Sequence, residues 1–230
     1  MKKTLSLVTG LSCILILAFP MTSSAEWMTG GYLGYSVSDD EDISLNANGV
    51  RQGTTQFDFD DSFTLGYRLG YWFESAPWLG ISGDISYFRP DVEFDFICAG
   101  SGPCNEDQSF ILGETGKFDI IPITPLLMLR IPLAADETFP KGKFQPYVAA
   151  GPGIFFSSWD INNFDDSDAR IGWDARAGIA AMVAHNFAVF AEYRYTEVEF
   201  TFDEHVGGIQ YSMETNLNTH HYTIGLFYYF

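Results

Sequence analysis

Long hydrophobic runs are absent from nearly all of this sequence. After Phe19, no segment reaches the roughly 18 unbroken apolar residues that indicate a membrane-spanning helix. A chain without such a segment can cross a bilayer only as a closed β-barrel, in which every backbone polar group is paired. Helical periodicity is weak, whereas aromatic residues make up 17% of the chain, a content that suits the two aromatic girdles of a membrane barrel.

Basic residues are also few. Twelve Lys and Arg stand against 30 Asp and Glu, which gives a formal charge of −18. An excess of negative charge repels the phosphates of nucleic acid instead of neutralising them. Nucleic-acid binding is therefore excluded as a function.

The acidic residues are clustered, but the clusters lack the spacing of a calcium-binding loop. They are Asp39-Asp40-Glu41-Asp42, Asp58-Phe59-Asp60-Asp61 and Asp165-Asp166-Ser167-Asp168. A calcium loop of the EF-hand type needs a glycine and a terminal Glu at fixed positions, and none of the three clusters has both. We therefore expect solvated acidic loops, with binding of divalent cations as the alternative, and we predict no cofactor.

The start of the chain is organised like a secretory signal peptide. Lys2 and Lys3 form a charged region, Leu11 to Phe19 form an apolar core, and Ala25 is a small residue of the kind found at the cleavage point. We predict cleavage before Glu26, so that residues 1–25 are the signal peptide and residues 26–230 form one β domain. Cleavage removes two lysines and changes the formal charge to −20.

Only three cysteines occur. Cys13 lies inside the apolar core of the signal peptide rather than at the cleavage point, which disfavours a lipoprotein. Cys98 and Cys104 lie in a predicted surface loop rich in Gly and Pro. In an oxidising compartment we expect them to form a disulfide that closes a tight loop, contributing on the order of 2 kcal/mol. A metal or redox pair is the alternative.

Hydrophobicity alternates with a period of two through most of the remaining chain, which predicts β-strands. The clearest case is Ser62 to Phe73. One side of this segment carries Phe63, Leu65, Tyr67, Leu69, Tyr71 and Phe73, and the other carries Thr64, Gly66, Arg68 and Gly70. The other predicted strands are about Trp27–Val37, Trp78–Phe88, Phe118–Leu133, Phe144–Phe156, Arg170–Val183, Phe187–Phe200 and a last strand that follows a loop of about Thr201–Asn218 and ends at Phe230. Long and short connections alternate, with His185-Asn186 as a two-residue turn. Pro122, Pro125 and Pro132 cannot donate to a ladder, so we expect irregularity in the fourth strand.

The last strand ends on a pattern of its own: polar, Gly, aromatic, aromatic, at Thr223, Gly225, Tyr228 and Phe230. This pattern resembles the C-terminal assembly signal of bacterial outer-membrane β-barrel proteins. With the signal peptide and the alternation, the chain from Glu26 to Phe230 is similar to the small barrels of that family, the porin-like and OmpA-type proteins.

The resemblance implies an all-β, eight-stranded antiparallel up-and-down barrel in the outer membrane of a Gram-negative cell. It also implies a monomer that is inserted by the outer-membrane assembly machinery and is surrounded by membrane lipid and lipopolysaccharide. Both chain ends would then face the periplasm, and the long acidic loops would face outward, where they could bind an extracellular ligand.

An eight-stranded barrel is barely wide enough for its own side chains. Alternation places a set of charged residues inside: Arg68, Asp84, Arg130, Asp174, Arg176, Glu192 and Arg194. Four cations and three anions in a narrow space should neutralise one another, because an unpaired buried charge costs several kcal/mol. We therefore predict a closed, salt-bridged lumen and a structural or surface-interaction role, without catalysis. A narrow channel for small solutes or ions is the first alternative.

A lipid-modifying hydrolase is the second alternative. It would need a His paired with a Ser at the lipid-facing edge, and no His-x-Ser spacing occurs around His185, His205, His220 or His221. His220 and His221 could also bind zinc, but adjacent residues of a strand point to opposite sides. The sequence therefore predicts no catalytic and no metal-binding residues.

Overall fold

The computed structural model describes the backbone of residues 26–39, 41–47, 50–59, 61–94, 97–98, 109–110, 115–161, 164–206 and 209–230. Side chains are described for residues 26–39, 61–90, 119–158, 168–200 and 216–230. Over these residues, no helix is both long and apolar enough to span a membrane. In chain order the strands are β1 (Glu26–Ser38), β2 (Glu41–Ala47), β3 (Val50–Phe59), β4 (Ser62–Phe73), β5 (Ala76–Phe88), β6 (Asp91–Phe94), β7 (Ile97–Cys98), β8 (Ser109–Phe110), β9 (Thr115–Arg130), β10 (Phe144–Ile161), β11 (Phe164–Ala184), β12 (Phe187–Val206) and β13 (Ile209–Tyr229).

Eight of these strands close into one antiparallel barrel. Their order around the barrel is β1-β4-β5-β9-β10-β11-β12-β13, and β13 pairs again with β1 from Met28↔Tyr229 to Ser38↔Thr219. Each barrel strand is thus paired with the barrel strands that precede and follow it along the chain. The eight-stranded up-and-down barrel predicted from the sequence is confirmed.

Alternation decides which side chains face the lumen. In β4, Phe63, Leu65 and Leu69 are exposed on the outer wall, whereas Arg68 and Trp72 are buried inside. The other barrel strands follow the same rule, so the outer wall is largely apolar and the lumen holds both charged and aromatic side chains. This arrangement is inverted relative to a water-soluble barrel and is typical of one that faces lipid.

The two ends of the barrel differ. At one end, which we call the turn end, β4 and β5 are joined through residues 74 and 75, and β11 and β12 through His185 and Asn186. Both chain ends lie here too, because the backbone N–H of Phe230 donates to Trp27 O at 2.9 Å. The two-residue turn predicted at His185-Asn186 is confirmed. We call the opposite end the loop end.

The connections at the loop end are more regular than the sequence indicated. β2, β3 and β6 continue the course of β1, β4 and β5, and they pair in the same order between β13 and β9. β10 to β13 also run on past the predicted strand ends. The expectation that the acidic clusters form loops was therefore wrong for part of them: Glu41 and Asp42 lie on β2, Asp58 on β3, and Asp165, Asp166 and Asp168 on β11.

Prolines interrupt the ladder on both sides of β9 without breaking the strand. Between β9 and β10 the pairing stops at Leu127↔Ala150 and resumes at Ile123↔Ile154 in the same register. Pro125 and Pro152, neither of which has an N–H to donate, fall in this gap. We call it the β9–β10 seam. The irregularity predicted for the fourth strand is thus a loss of pairing inside a continuous strand.

Candidate functional site

The charged side chains inside the barrel are the site that sequence analysis singled out. The structure places all seven of them in the lumen, each at most 4% exposed. It brings six together in one network: Arg68, Asp84, Asp174, Arg176, Glu192 and Arg194. Arg130 lies apart, at the turn end.

Arg68 joins two carboxylates from different sides of the barrel. Its Nη1 and Nη2 donate to Oε2 and Oε1 of Glu192 at 2.8 and 2.7 Å, the geometry of a bidentate pair. Its Nε donates to Asp84 Oδ2 at 3.1 Å. Arg68 and Asp84 are directly opposite in the β4–β5 register, whereas Glu192 reaches across from β12. The network therefore links strands that are far apart around the wall.

Arg176 and Arg194 are directly opposite each other on β11 and β12. Two like charges in that position destabilise a sheet, so both need carboxylates close by. Asp174 lies between them, 2.7 Å from Arg176 Nε and 2.8 Å from Arg194 Nε. Asp84 adds a bidentate pair with Arg176, in which both distances are 2.9 Å. The two carboxylates therefore neutralise an otherwise repulsive cross-strand pair.

Two tyrosines complete the coordination of the carboxylates. Tyr32 OH donates to Asp84 Oδ1 at 2.7 Å, and Tyr147 OH donates to Glu192 Oε2 at 2.8 Å. With three guanidinium groups and three carboxylates, the network is neutral as a whole. Buried charges need partners of this kind. The network supplies them except at Arg194 Nε and Nη2, which make no hydrogen bond although Nε lies close to Asp174.

Between the network and the turn end, the lumen is packed with apolar side chains. The rings of Phe190 and Phe227 stack at 4.0 Å with 10° between their planes, and Arg68 lies over Phe227 at 5.7 Å. The buried cluster around them consists of Met28, Tyr32, Trp72, Leu126, Met128, Tyr147, Ala149, Ala180, Met182, Ala188, Phe190, Phe227 and Tyr229. We call it the lower core. These buried side chains thus occupy the lumen on the turn-end side of the network.

A second charge cluster lies at the turn end. Arg130 Nη2 lies 2.5 Å from Glu26 Oε2, and Lys141 Nζ lies 3.2 Å from Glu26 Oε1. Arg130 also donates to Gln145 Oε1 at 3.0 Å and stacks on Trp72 at 4.2 Å. Glu26 is the anion that the sequence-based count of four cations and three anions had left out.

The family of the protein follows from a match over nearly the whole chain. Residues 11–230 match the family model described as the outer membrane protein beta-barrel domain. The chain belongs to the outer membrane β-barrel family. It resides in the outer membrane.

Solved structures show the same fold. OprG from Pseudomonas aeruginosa has 15% sequence identity and a TM-score of 0.64, over 90% of this chain and 96% of OprG. The solid-state NMR structure of the outer membrane protein AlkL in DMPC bilayers has 15% identity and a TM-score of 0.55, over 92% of this chain and 95% of AlkL. A comparison with curated protein sequences gives no match.

In this outer membrane barrel, the C-terminal strand is held on both sides. β13 pairs with β1 and with β12, so it closes the cylinder. Thr223 is buried and donates to Glu192 O at 3.4 Å, whereas Tyr228 and Phe230 face outward and pack edge to face at 4.8 Å. A Cβ on Gly225 would lie 2.4 Å from Gly31 O and 2.7 Å from the Phe190 ring. Only glycine fits this position of the terminal pattern.

The two adjacent histidines point to opposite sides of β13. His221 is buried in the lumen, where Nδ1 lies 2.6 Å from Ser36 Oγ and Nε2 lies 3.2 Å from Thr196 Oγ1. His220 lies on the outer wall, with Nδ1 2.6 Å from Tyr193 OH. In the portion of the chain that the structure describes, no group of three or more His, Cys, Asp or Glu side chains could hold a metal ion. Cys104 lies outside the described residues, and so does the predicted disulfide.

Sequence reasoning found the charged members of the network and missed the residues that complete it. Tyr32 and Tyr147 sit at inward positions of their strands, but alternation alone does not distinguish a hydrogen-bonding tyrosine from a packing one. Glu26 could have been found by extending the inward series of β1 from Met28 by one step, since the count of charges required another anion.

Proposed function

We propose that this outer membrane barrel is closed along its axis and acts through its surface, neither conducting solutes through the lumen nor catalysing a reaction. The observation that supports this proposal most strongly is the neutral six-residue network on top of the lower core. A conducting eight-stranded barrel would need a continuous row of water beside these side chains, and their burial and mutual ion pairs argue against one.

The proposed orientation puts the turn end in the periplasm. Aromatic side chains form a band on the outer wall near each end, with Trp78 and Phe187 toward the turn end and Tyr35, Tyr193 and Tyr222 toward the loop end. A transmembrane strand needs about 9–11 residues, whereas β10 to β13 have 18 to 21. The surplus would project outward from the loop-end band as a wall on which an extracellular ligand could bind.

The proposed partners follow from this placement. Membrane lipid and lipopolysaccharide would surround the wall, the assembly machinery would act on the strand that ends at Phe230, and the barrel would work as a monomer. Arg89 and Arg170 support a contact with lipopolysaccharide, because both are partly exposed near the loop-end band. Each also lies beside a carboxylate, which would allow a divalent cation to bridge to lipid phosphate.

The proposed absence of catalysis rests on the surroundings of the histidines. His221 has a serine partner, Ser36, but the pair is enclosed in the lumen and cannot meet a lipid. His220 can meet lipid, but its partners are Tyr193 and Asp39. Lipid A mass spectra from cells with and without the protein test this point, and a changed spectrum would contradict it.

Single-channel recording in planar bilayers tests the closed lumen. The purified barrel, checked for heat-dependent mobility on gels, is expected to give no steady unitary current. Steady currents would refute the proposal if Arg176→Ala changes them and the matched outer-wall substitution Glu197→Ala does not. Such a result would show that ions pass the network.

A second candidate function is entry of small apolar molecules through the wall instead of along the lumen. The β9–β10 seam supports it, since the ladder is interrupted where an apolar groove of about 910 Å³ runs along the outer wall. Pro125 and Pro152 both line that groove. Replacing both prolines with Val returns two backbone N–H donors to the seam. If the candidate function is correct, cells with this double variant should take up an apolar dye more slowly. Pro146→Val is the control. An unchanged rate would remove this candidate.

A further inference from the structure

The connection between β9 and β10, residues 131–143, is the long one at the turn end. Its two sides are held together by backbone hydrogen bonds, Leu133 N to Phe144 O at 2.8 Å and Lys143 N to Ala134 O at 3.3 Å. Beyond this base the chain does not extend away from the barrel. It turns back beneath the mouth, where Phe139 packs against the lower core.

The tip of this connection has its own internal structure. Asp136 Oδ1 accepts the backbone N–H groups of Thr138 and Phe139 at 2.8 and 2.7 Å, and Gly142 N donates to Phe139 O at 2.9 Å. Gly142 has a φ of 90°, a conformation that glycine adopts without steric cost. At the other side Ala134 has a φ of 52°, which a residue with a Cβ rarely adopts. The tip is therefore a preformed unit between two sharp bends.

Few contacts tie this unit to the barrel. Near its base, Gln145 Nε2 donates to Gly142 O at 3.1 Å. Lys141 reaches Glu26 at 3.2 Å, but the lysine side chain is 49% exposed, and such a pair contributes little in water. A small cavity of about 150 Å³ separates the unit from the barrel, lined by Glu26, Phe139, Met182 and Tyr229 among others. Phe139 is thus the principal apolar contact at the tip.

We infer that residues 134–142 form a lid on the lower core, with Phe139 as its stopper and the Lys141–Glu26 pair as its latch. The lid closes the mouth of the barrel at the turn end. The lower core lies between the lid and the charge network, so the lid closes the mouth independently of that network. The base stays attached through its ladder bonds to β10 and through Met182 N, which donates to Lys143 O at 2.8 Å. The tip can therefore swing away while the barrel remains intact.

This inference rests on the proposed function only in that both describe a closed lumen, and the two fail separately. The lid is tested by the reactivity of a thiol beneath it. Met182 lines the cavity and is 8% exposed, so Met182→Cys places the thiol there. Cys98→Ser and Cys104→Ser remove the other thiols of the processed chain in every arm. The readout is the rate at which a water-soluble maleimide labels the folded barrel in detergent.

Removing the stopper should raise that rate. Phe139→Ala is expected to increase labelling roughly tenfold, because the open lid becomes a larger share of the population. Leu133→Ala is the matched control, since it truncates a side chain of the same connection that is 47% exposed, and labelling should stay within about twofold. Lys141→Gln leaves the packing of Phe139 in place and should raise the labelling rate by a smaller factor. It is the test variant if Phe139→Ala does not fold.

Two outcomes would overturn the lid. One is fast labelling in the parent, and the other is equal labelling rates for Phe139→Ala, Lys141→Gln and the parent. Either result would leave the closed lumen untouched, because the bilayer recording tests that separately. Conversely, a steady current in the parent would refute the closed lumen. Slow labelling that becomes faster in Phe139→Ala would still support the lid.

Discussion

Among the members of the network, Glu192 is the one whose replacement should lower the stability of the barrel most. It accepts two hydrogen bonds from Arg68 at 2.7 and 2.8 Å and one from Tyr147 at 2.8 Å, and it lies 3.5 Å from Arg176. Glu192→Gln keeps the size of the side chain but removes its charge, and it turns an amide NH₂ toward a group that can only donate. Arg68 would then keep Asp84 as its only carboxylate among the described residues.

The expected magnitude follows from the burial of both partners, which have side chains 0% exposed. Breaking a buried ion pair by removing one charge costs about 3–5 kcal/mol, because the other charge stays buried without compensation. We expect Glu192→Gln to lower the free energy of unfolding by about that amount. Glu197→Gln makes the same chemical change on the exposed face of the same strand and should cost less than about 0.5 kcal/mol.

Urea titration in lipid vesicles, followed by tryptophan fluorescence and by gel mobility without heating, measures both variants. Replacing both Arg68 and Glu192 by Met should cost less than either single replacement by Met, since no buried charge is left alone. The reasoning fails if Glu192→Gln loses less than about 1 kcal/mol, or if the double variant loses the sum of the two single ones.

Two further predictions concern the turn end and the closing strand. Gly225→Ala should reduce the folded, heat-shifted fraction on gels, because the added Cβ would lie 2.4 Å from Gly31 O. The control Gly31→Ala should leave that fraction unchanged, because the nearest atom to its added Cβ is 3.9 Å away. Arg130→Met should cost about 3 kcal/mol in the urea titration, because it leaves Glu26 buried with one half-exposed partner. Lys143→Met, on an exposed side chain, should cost less than about 0.5 kcal/mol, and equal losses in this pair would contradict the role given to Glu26.

Much of the fold could be predicted because one physical rule governs it. In a barrel with lipid outside and a packed lumen inside, every second residue faces lipid, so the alternation around Arg68 or Arg176 reports orientation directly. The loop end was harder to predict because contact with lipid no longer requires every second side chain there to be apolar. The strand β3 lacks a continuous apolar face, and β2 and β6, with 7 and 4 residues, are too short to reveal a membrane strand by alternation.

The site was partly predictable for a related reason. Alternation shows that a residue faces inward, but not how far along the axis it lies. Arg130 and Arg68 are equivalent in the sequence pattern, yet the strand ends place Arg130 at the turn end with Glu26, beyond the lower core. Pairing partners depend on axial position and register, and these follow from the whole set of strand pairings.

The network also bears on how the register is chosen. A slip of one residue in any barrel strand would turn its inward side chains onto the outer wall. For β11 this would expose Asp174 and Arg176 to lipid, where a charge near the bilayer centre costs about 2–4 kcal/mol for Arg and less for Asp. It would also remove Asp174 from Arg194 and Arg176 from Asp84. Because the ion pairs other than Arg176–Asp174 join different strands, the correct register of one strand stabilises that of its partner strands. The buried charges therefore also favour one register of the barrel over the others.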